Sequence, residues 1–436
     1  MESRDFDKEQ TRVLNYIRQL NIEGLDNFDI EKLMFNVTEE AMKASKMESL
    51  KRLIRTIVFD VISLQFVTGS GSVPLVITYD YHRNDHTSYW NRFKEIIRDY
   101  DEIIIEEGKR NYKRIRTPRE VLSVLANYCS TKKLLSEVGD SSFRRVIAAD
   151  ISELIEFRKK LDVLKNDYNA AFIFFDGNHV ENLLVQDLRN KGVSVATMQH
   201  GQPVFHGMNC DRINQTMILN FSSDYIMVTG EYSKKQFMRG GVPEEKIFVG
   251  GSLRNVNSIR ESNDRTFAVF LDCPTNPNAV RDNEELLKCA SQIGALLEAN
   301  YLIKTHPQDD PDNYKHFSDY RGSFMAKGKV VNDALEGVGF ALLHASGVYL
   351  DVIAYGVKAF CYVNETVFPL VEEGMDSFSS VEELKNKIDA WNKYTEDEKK
   401  EYMNRIVDYY LYPYGVEDRY RTFAMKLNKT KRDGIV

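Results

Sequence analysis

A chain of 436 residues, 43% hydrophobic and 28% charged, is long enough for two or three domains and too apolar to be disordered or low in complexity. Its net charge of -7 argues against a dedicated nucleic-acid binder, which carries a basic excess. Five cysteines, an odd number with no CxxC pair, argue against a disulfide framework or a zinc site and for a reducing, cytoplasmic setting. The first ten residues, MESRDFDKEQ, are charged and contain no apolar core, so no secretory leader is expected there.

Residues 1–66 read as an N-terminal helical segment. Apolar side chains recur at helical spacing, as in Val13, Ile17 and Leu20, and Gly and Pro are scarce. Its most apolar stretch, 53–67, is interrupted by Arg55 and Asp60 and is too short to span a bilayer. Core burial is expected for it, with contact to a membrane surface as the other reading. TGSGS at 68–72 then breaks the helical pattern. From there short apolar runs alternate with helical stretches: VPLVITYD, a helix over 89–99, DEIIIEE, a long helical region over 118–165, AAFIFFDGN, a helix closed by Gly192, and VSVATMQHG. The alternation repeats through DYIMVTG, KIFVGG, FAVFLDCPT, a helix over 284–299, YLIKTHP, GFALLHASG, a helix VYLDVIAYG and KAFCYVNE. Alternating strands and helices predict α/β architecture, with two doubly wound parallel sheets. The boundaries fall at 67–220 and 221–410, with a helical tail over 411–436.

Ligands of open α/β sheets bind beyond the carboxyl ends of the strands. Those ends carry Asp176-Gly177, His200-Gly201-Gln202, Gly250-Gly251, Lys304-Thr305-His306-Pro307 and His344-Ala345-Ser346-Gly347. Four of the eight histidines, His82, His200, His306 and His344, stand at such positions. Ser346-Gly347 opens a helix, whose free N–H groups suit a phosphate, and Lys304 and His306 can add donors to it. Neither a GxxxxGK[ST] loop nor a GxGxxG fingerprint is present, so a kinase or nicotinamide enzyme is not supported.

The loops also come in a family order. MQHGQP resembles the HG loop of CDP-glycerol glycerophosphotransferase-like enzymes, which build teichoic acids. SSDYIMVTGEYSKKQFMRGGVPEEKIFVGGSLRNV, FLDCPT, IKTHP and HASGVYLDVIAYGVKAFCY resemble the segments that follow in that family. The HP and Ser motifs, and Asp176-Gly177, also resemble those of bacterial sialyltransferases and related capsule glycosyltransferases. The resemblance covers about residues 170–370. Gln202 replaces the family's Thr, SLRNV lacks its Pro and Asp, and HASG keeps one serine and lacks the leading acid.

The resemblance implies a GT-B fold, two Rossmann-like domains facing a cleft, and a transferase. It would move a sugar or polyol phosphate from a nucleotide-activated donor (CMP-, CDP- or UDP-linked) to a glycan or lipid-linked acceptor during capsule, teichoic acid or related surface polysaccharide synthesis. His200 is the expected base, with Asp176 second. Lys304, His306, Pro307, Ser346 and Gly347 would hold donor phosphates, with Arg254, Gly251 and Glu365 beside them. No cofactor or metal is expected, and the setting is cytoplasmic, with contact at the inner membrane face. A nucleotide-sugar 2-epimerase, which shares the fold and needs no acceptor, is one alternative. A non-catalytic nucleotide-sugar or glycan-binding protein is another.

Overall fold

The computed structural model describes residues 3–66, 72–79, 84–107, 114–164, 168–199, 201–203, 218–257, 265–273, 279–307, 309–317, 320–326, 328–344, 346–364 and 376–429. Three helices come first: α1 (Ser3–Arg18), α2 (Ile30–Lys43) and α3 (Lys46–Val58). Ser45 and Glu48 cap the start of α3 reciprocally. The expected helix over 53–67 is corrected: α3 stops at Val58, and β1 (Phe59–Asp60) and β2 (Ile62–Phe66) follow. The reason is the alternation Ile62-Ser63-Leu64-Gln65-Phe66, a period of two that suits a strand.

Next come β3 (Leu75–Tyr79), α4 (Asn84–Ile97), β4 (Asp101–Glu107), β5 (Arg114–Ile115), α5 (Pro118–Leu134) and α6 (Ser141–Leu161). The long helical region therefore divides in two. Gly139 turns the chain at φ 61°, and Asp140 caps α6 by accepting from the N–H groups of Ser142 and Phe143, both at 2.8 Å. The remaining elements of this half are β6 (Ala170–Ile173), α7 (His179–Asn190), β7 (Ser194–Met198), β8 (Tyr225–Val228), α8 (Glu231–Arg239) and β9 (Ile247–Val249). The first sheet has seven strands in the order β2-β4-β3-β6-β7-β8-β9. Only the edge strand β2 runs antiparallel, pairing Ile62 with Glu107 through Phe66 with Ile103.

The second half holds β10 (Thr266–Phe270), α9 (Ala279–Leu296), β11 (Asn300–Lys304), β12 (Gly322–Phe324), α10 (Val331–Leu335), β13 (Phe340–Leu343), α11 (Val348–Ala354), β14 (Lys358–Tyr362) and β15 (Ser377–Phe378). Helices α12 (Val381–Lys393), α13 (Glu396–Leu411) and α14 (Val416–Lys429) end the described chain. The six strands run parallel in the order β12-β11-β10-β13-β14-β15. β13 and β14 are buried at every position, as expected of strands covered on both faces.

Among its parallel strands each sheet reverses its winding direction once, between β3 and β6 in the first and between β10 and β13 in the second. Such reversals open a crevice at the carboxyl ends of the two flanking strands. The expected boundary near residue 220 moves, because β8 and β9 pair with β7 and belong to the first sheet. The chain crosses to the second sheet after Val249. Nor are the N-terminal helices and the tail separate units. α1 and α2 share a core with α6 and α7, and Tyr420, Ala424 and Leu427 of α14 pack beneath the first sheet with Trp90 and Phe93 of α4.

The crossing is tightly held. Gly251 sits at φ 92°, and a Cβ there would lie 2.4 Å from the Tyr412 carbonyl oxygen. Tyr420 Oη donates to the Gly251 carbonyl at 2.9 Å, and the Ser252 N–H donates to the Leu411 carbonyl at 2.6 Å. Gly251→Ala combines left-handed strain with a backbone clash and should destabilise the protein by about 2 kcal/mol or more in denaturant unfolding. A loss under about 0.5 kcal/mol, the scale of an ordinary surface change, would show that the crossing is not clamped.

Candidate functional site

The second crevice is floored by a polar network at the start of α9. The Asp272 N–H donates to Asn283 Oδ1 at 2.9 Å, and Asn283 Nδ2 donates back to the Asp272 carbonyl at 3.2 Å. Asn283 also donates to Tyr314 Oη at 3.0 Å, which in turn donates to Asp309 Oδ2 at 2.8 Å. Burial, more than that carboxylate, pushes the Tyr314 phenol up to about 12, so it stays a donor. On the other side, Asn364 Nδ2 donates to Asp282 Oδ1 and Glu285 Oε2, both at 3.0 Å, and Tyr362 Oη donates to Glu285 at 2.9 Å. The carboxyl ends of β10, β11 and β14 are thereby tied to one helix.

Around this floor stand the sequence-predicted phosphate ligands. Lys304 closes β11, half-buried; its carbonyl accepts from the Leu271 N–H at 3.0 Å, and its ammonium forms no hydrogen bond or ion pair with a described residue. Burial lowers its pKa, and only the more distant Asp333 opposes that shift. A half-buried ammonium without a partner is costly, and an anion would relieve it. His306 and Pro307 continue the same loop, and the His306 carbonyl accepts from the Asp309 N–H at 2.9 Å. Ser346 and Gly347 precede α11. Ser346 Oγ accepts from the Val348 N–H at 3.5 Å, and the Ser346 N–H donates to the His344 carbonyl at 2.8 Å.

His344, where the family motif has an acid, is buried beside this turn, its ring edge-on to Tyr362 at 5.8 Å. Neither ring nitrogen has a hydrogen-bond partner among the described residues. Burial lowers its pKa, against the opposing pull of Asp272, Asp282 and Glu285, so the ring is neutral near pH 7.

The first crevice contributes aromatic side chains. His86 and Tyr89 of α4 lean on Phe174, just beyond β6, with ring centroids 5.0 and 6.3 Å apart. Arg254 bridges the two halves. Its guanidinium stacks on Tyr89 at 5.4 Å, and its Nε donates to Asp351 Oδ1 of α11 at 2.5 Å. The neighbouring Leu253 N–H donates to Tyr89 Oη at 3.3 Å. Tyr89, Phe174 and Asp351 were not singled out from the sequence. The one signal that could have found them is position, since each flanks a winding reversal or the helix that follows it.

Two expected residues are built into the scaffold. Asp176 is fully buried, and its Oδ2 accepts from the Ser222 and Ser223 N–H groups at 2.9 Å each and from Ser223 Oγ at 2.8 Å. Burial raises its pKa, and these donors together with Thr197 oppose the rise. The carboxylate fastens the loop preceding β8 to the end of β6. Gly251 lies under α14 in the crossing, not beside Lys304. His200 and Glu365 lie outside the described residues.

His344 has a consequence for stability. Below about pH 6.5 the unfolded chain binds a proton there that the folded chain refuses, so stability should fall with pH, at up to about 1.4 kcal/mol per unit. His344→Gln should flatten that limb in denaturant unfolding between about pH 5 and 7. An unchanged slope would mean that the ring is protonated in the folded protein.

No protein-family model matches the chain, and no curated protein does. Among solved structures it is similar to S. aureus MnaA bound to UDP, with 10% identity, 82% of this chain and 99% of that chain covered, and a TM-score of 0.50. It is also similar to UDP-GlcNAc 2-epimerase from Neisseria meningitidis bound to UDP-GlcNAc (11% identity, 82% and 100% covered, TM-score 0.48). A third is the Methanocaldococcus jannaschii UDP-GlcNAc 2-epimerase with UDP-GlcNAc and UDP (15%, 77% and 99%, 0.46). The transferase expectation is corrected: two of these three structures are UDP-GlcNAc 2-epimerases and none is a transferase, and at these identities the likeness extends to the fold alone. The specific resemblance to glycerophosphotransferases and sialyltransferases likewise gives way to a broader one. What the likeness establishes is architecture: the chain has the GT-B fold, two Rossmann-like domains whose crevices meet around Arg254.

Proposed function

We propose that the protein is a nucleotide-sugar epimerase that inverts carbon 2 of a sugar held by a nucleoside diphosphate, with a UDP-linked N-acetylhexosamine as the first candidate. The observation that carries this reading is the half-buried ammonium of Lys304, without a partner among the described residues, at the carboxyl end of β11, one strand from the winding reversal of the second sheet. It supplies the cation that a diphosphate requires where the fold puts a ligand. His306 and the Ser346-Gly347 turn are its proposed companions. A fold shared along 99% of UDP-bound MnaA supports a uridine nucleotide. The altered motifs weigh against a glycerophosphotransferase: SLRNV and HASG lack the Pro and acids of their counterparts.

Inversion at carbon 2 needs no second substrate. The C2–H proton leaves to a base on one face of the ring while its electron pair forms a C1–C2 double bond and expels the nucleoside diphosphate from C1; the diphosphate then re-forms its bond to C1 as a proton adds to C2 from the other face, so composition is unchanged. His200 is the proposed proton-transfer group, because imidazole exchanges protons near neutral pH. Arg254 and Asp351 would hold the two crevices in register around the sugar nucleotide. A cytoplasmic setting, where nucleotide sugars are supplied, is part of this proposal.

Titration calorimetry with UDP tests the phosphate site. Lys304→Ala should weaken binding about 10- to 100-fold, the loss of one charge-assisted hydrogen bond or ion pair, with the melting temperature of the free protein unchanged or higher. UDP binding that is absent in the wild type, or unaffected by Lys304→Ala, would overturn the assignment.

A further inference from the structure

The outer layer of the first domain carries a surface that the substrate site does not use. α6 is buried along most of its length, packed against α2 and α7 of the first domain and covered by α3 and α5. α3 turns Ser49 and Thr56 toward α6. Its opposite face presents Met47, Leu50 and Ile54, which are 61%, 43% and 51% exposed. This spacing of three and four residues makes one apolar stripe along the helix.

The stripe continues onto the next elements. The Arg116 N–H donates to the Val58 carbonyl at 2.9 Å, and Arg116 Nε donates to the Thr56 carbonyl at 3.0 Å, which fixes the start of α5 against the end of α3. Ile115, on β5 between them, is 70% exposed. α5 buries Val124, Tyr128 and Thr131 against its neighbours. On the opposite side of that helix Leu122 is 68% exposed.

The charge around this face is reversed from that of the whole protein. Residues 43–58 and 114–134 hold ten Lys and Arg against only Glu48 and Glu120, in a chain whose net charge is -7. Several of the ten are engaged: Arg52 with Asp150 and Glu40, and Arg114 with Asp60 and Glu120. Lys46 and Lys51, which flank the α3 stripe, and Arg119 and Lys133 of α5 make no ion pair with a described residue. Glu48 and Glu40 are the acidic groups at its edge.

We propose that the α3–β5–α5 face docks on the surface of a bilayer carrying anionic headgroups. Met47, Leu50, Ile54, Ile115 and Leu122 would enter the headgroup–acyl boundary, and the lysines would pair with phosphate. An apolar stripe edged by basic residues is the composition of an interfacial helix. Among the described residues no helix is long and apolar enough to cross a membrane, so the face lies on the bilayer and does not span it. This reading does not rest on the identity of the substrate.

Vesicle flotation of the full chain tests it, with phosphatidylcholine alone and with about 30% phosphatidylglycerol added. The wild type should float with the anionic vesicles and at least about tenfold less with the neutral ones. The pairs Leu50→Ser with Ile54→Ser and Lys46→Glu with Lys51→Glu should each lose about tenfold or more, with UDP affinity and melting temperature kept. Failure of the folded wild type to bind anionic vesicles would overturn the proposal, as would full binding by either pair. So would light scattering that shows a lipid-free dimer which the Leu50→Ser and Ile54→Ser pair turns into a monomer, since the face would then join two copies of the chain.

Discussion

The chain passes between its two sheets twice, and everything at the candidate site depends on how those passages are clamped. It leaves the first sheet through Gly250 and Gly251 and returns through the turn that joins α13 to α14. The two strands of backbone lock to each other: Arg419 Nε donates to the Gly250 carbonyl at 3.1 Å, and its Nη2 donates to the Tyr412 carbonyl at 2.7 Å. No room remains for a side chain at either glycine, since a Cβ at Gly250 would meet the Tyr420 ring at 2.3 Å. Three residues beyond the clamp, Arg254 reaches Tyr89 on one side and Asp351 on the other. The pair is partly exposed and contributes little to stability. Its value is positional, because it sets the two crevices around one centre.

The first domain is braced by polar contacts as well as by its apolar core. Asn182 Nδ2 donates to the Asp176 and Asn220 carbonyls at 2.8 and 3.0 Å, Asn220 Nδ2 donates to the Gly177 carbonyl at 3.1 Å, and Lys32 Nζ donates to the Phe221 carbonyl at 2.7 Å. α2 is thereby fastened to the loops beyond β6 and before β8. Buried networks of this kind rigidify, because breaking one partner leaves another desolvated. A rigid strand end is what a ligand crevice needs. It also gives Asp176 and its neighbours a structural reason to be Asp, Gly and Asn, one that resembles a catalytic motif when only the sequence is in view.

The sheet content was legible in the sequence because parallel strands buried on both faces read as short apolar runs, and β3, β4, β6, β10, β13 and β14 all fall where such runs occur. Helix ends were legible where capping chemistry is local, as at Gly192, which takes φ 81° just after α7. Domain membership was not, because it depends on pairing. Nothing local in YIMV or IFV says that β8 and β9 join the first sheet. The stretch 53–67 misled for a related reason: helix-spaced and strand-spaced apolar residues follow one another without a glycine or proline between them. At the site, Lys304, His306, Ser346 and Gly347 were visible as strand-end residues. Tyr89, Phe174 and Asp351 were hidden because they matter only through the approach of distant elements. Asp176 and Gly251 have strand-end positions too, but their burial follows from contacts with residues 222–223 and 412–420.

The central claim is that the two crevices form one site for isomerising a nucleotide sugar. Proton NMR of UDP-N-acetylglucosamine incubated with the protein in deuterium oxide, with no acceptor present, tests it most directly. The account predicts a second sugar nucleotide epimeric at carbon 2, with deuterium at that carbon and no release of free UDP at equilibrium beyond a trace. Tight binding of the sugar nucleotide with no exchange at carbon 2 and no epimer would contradict it.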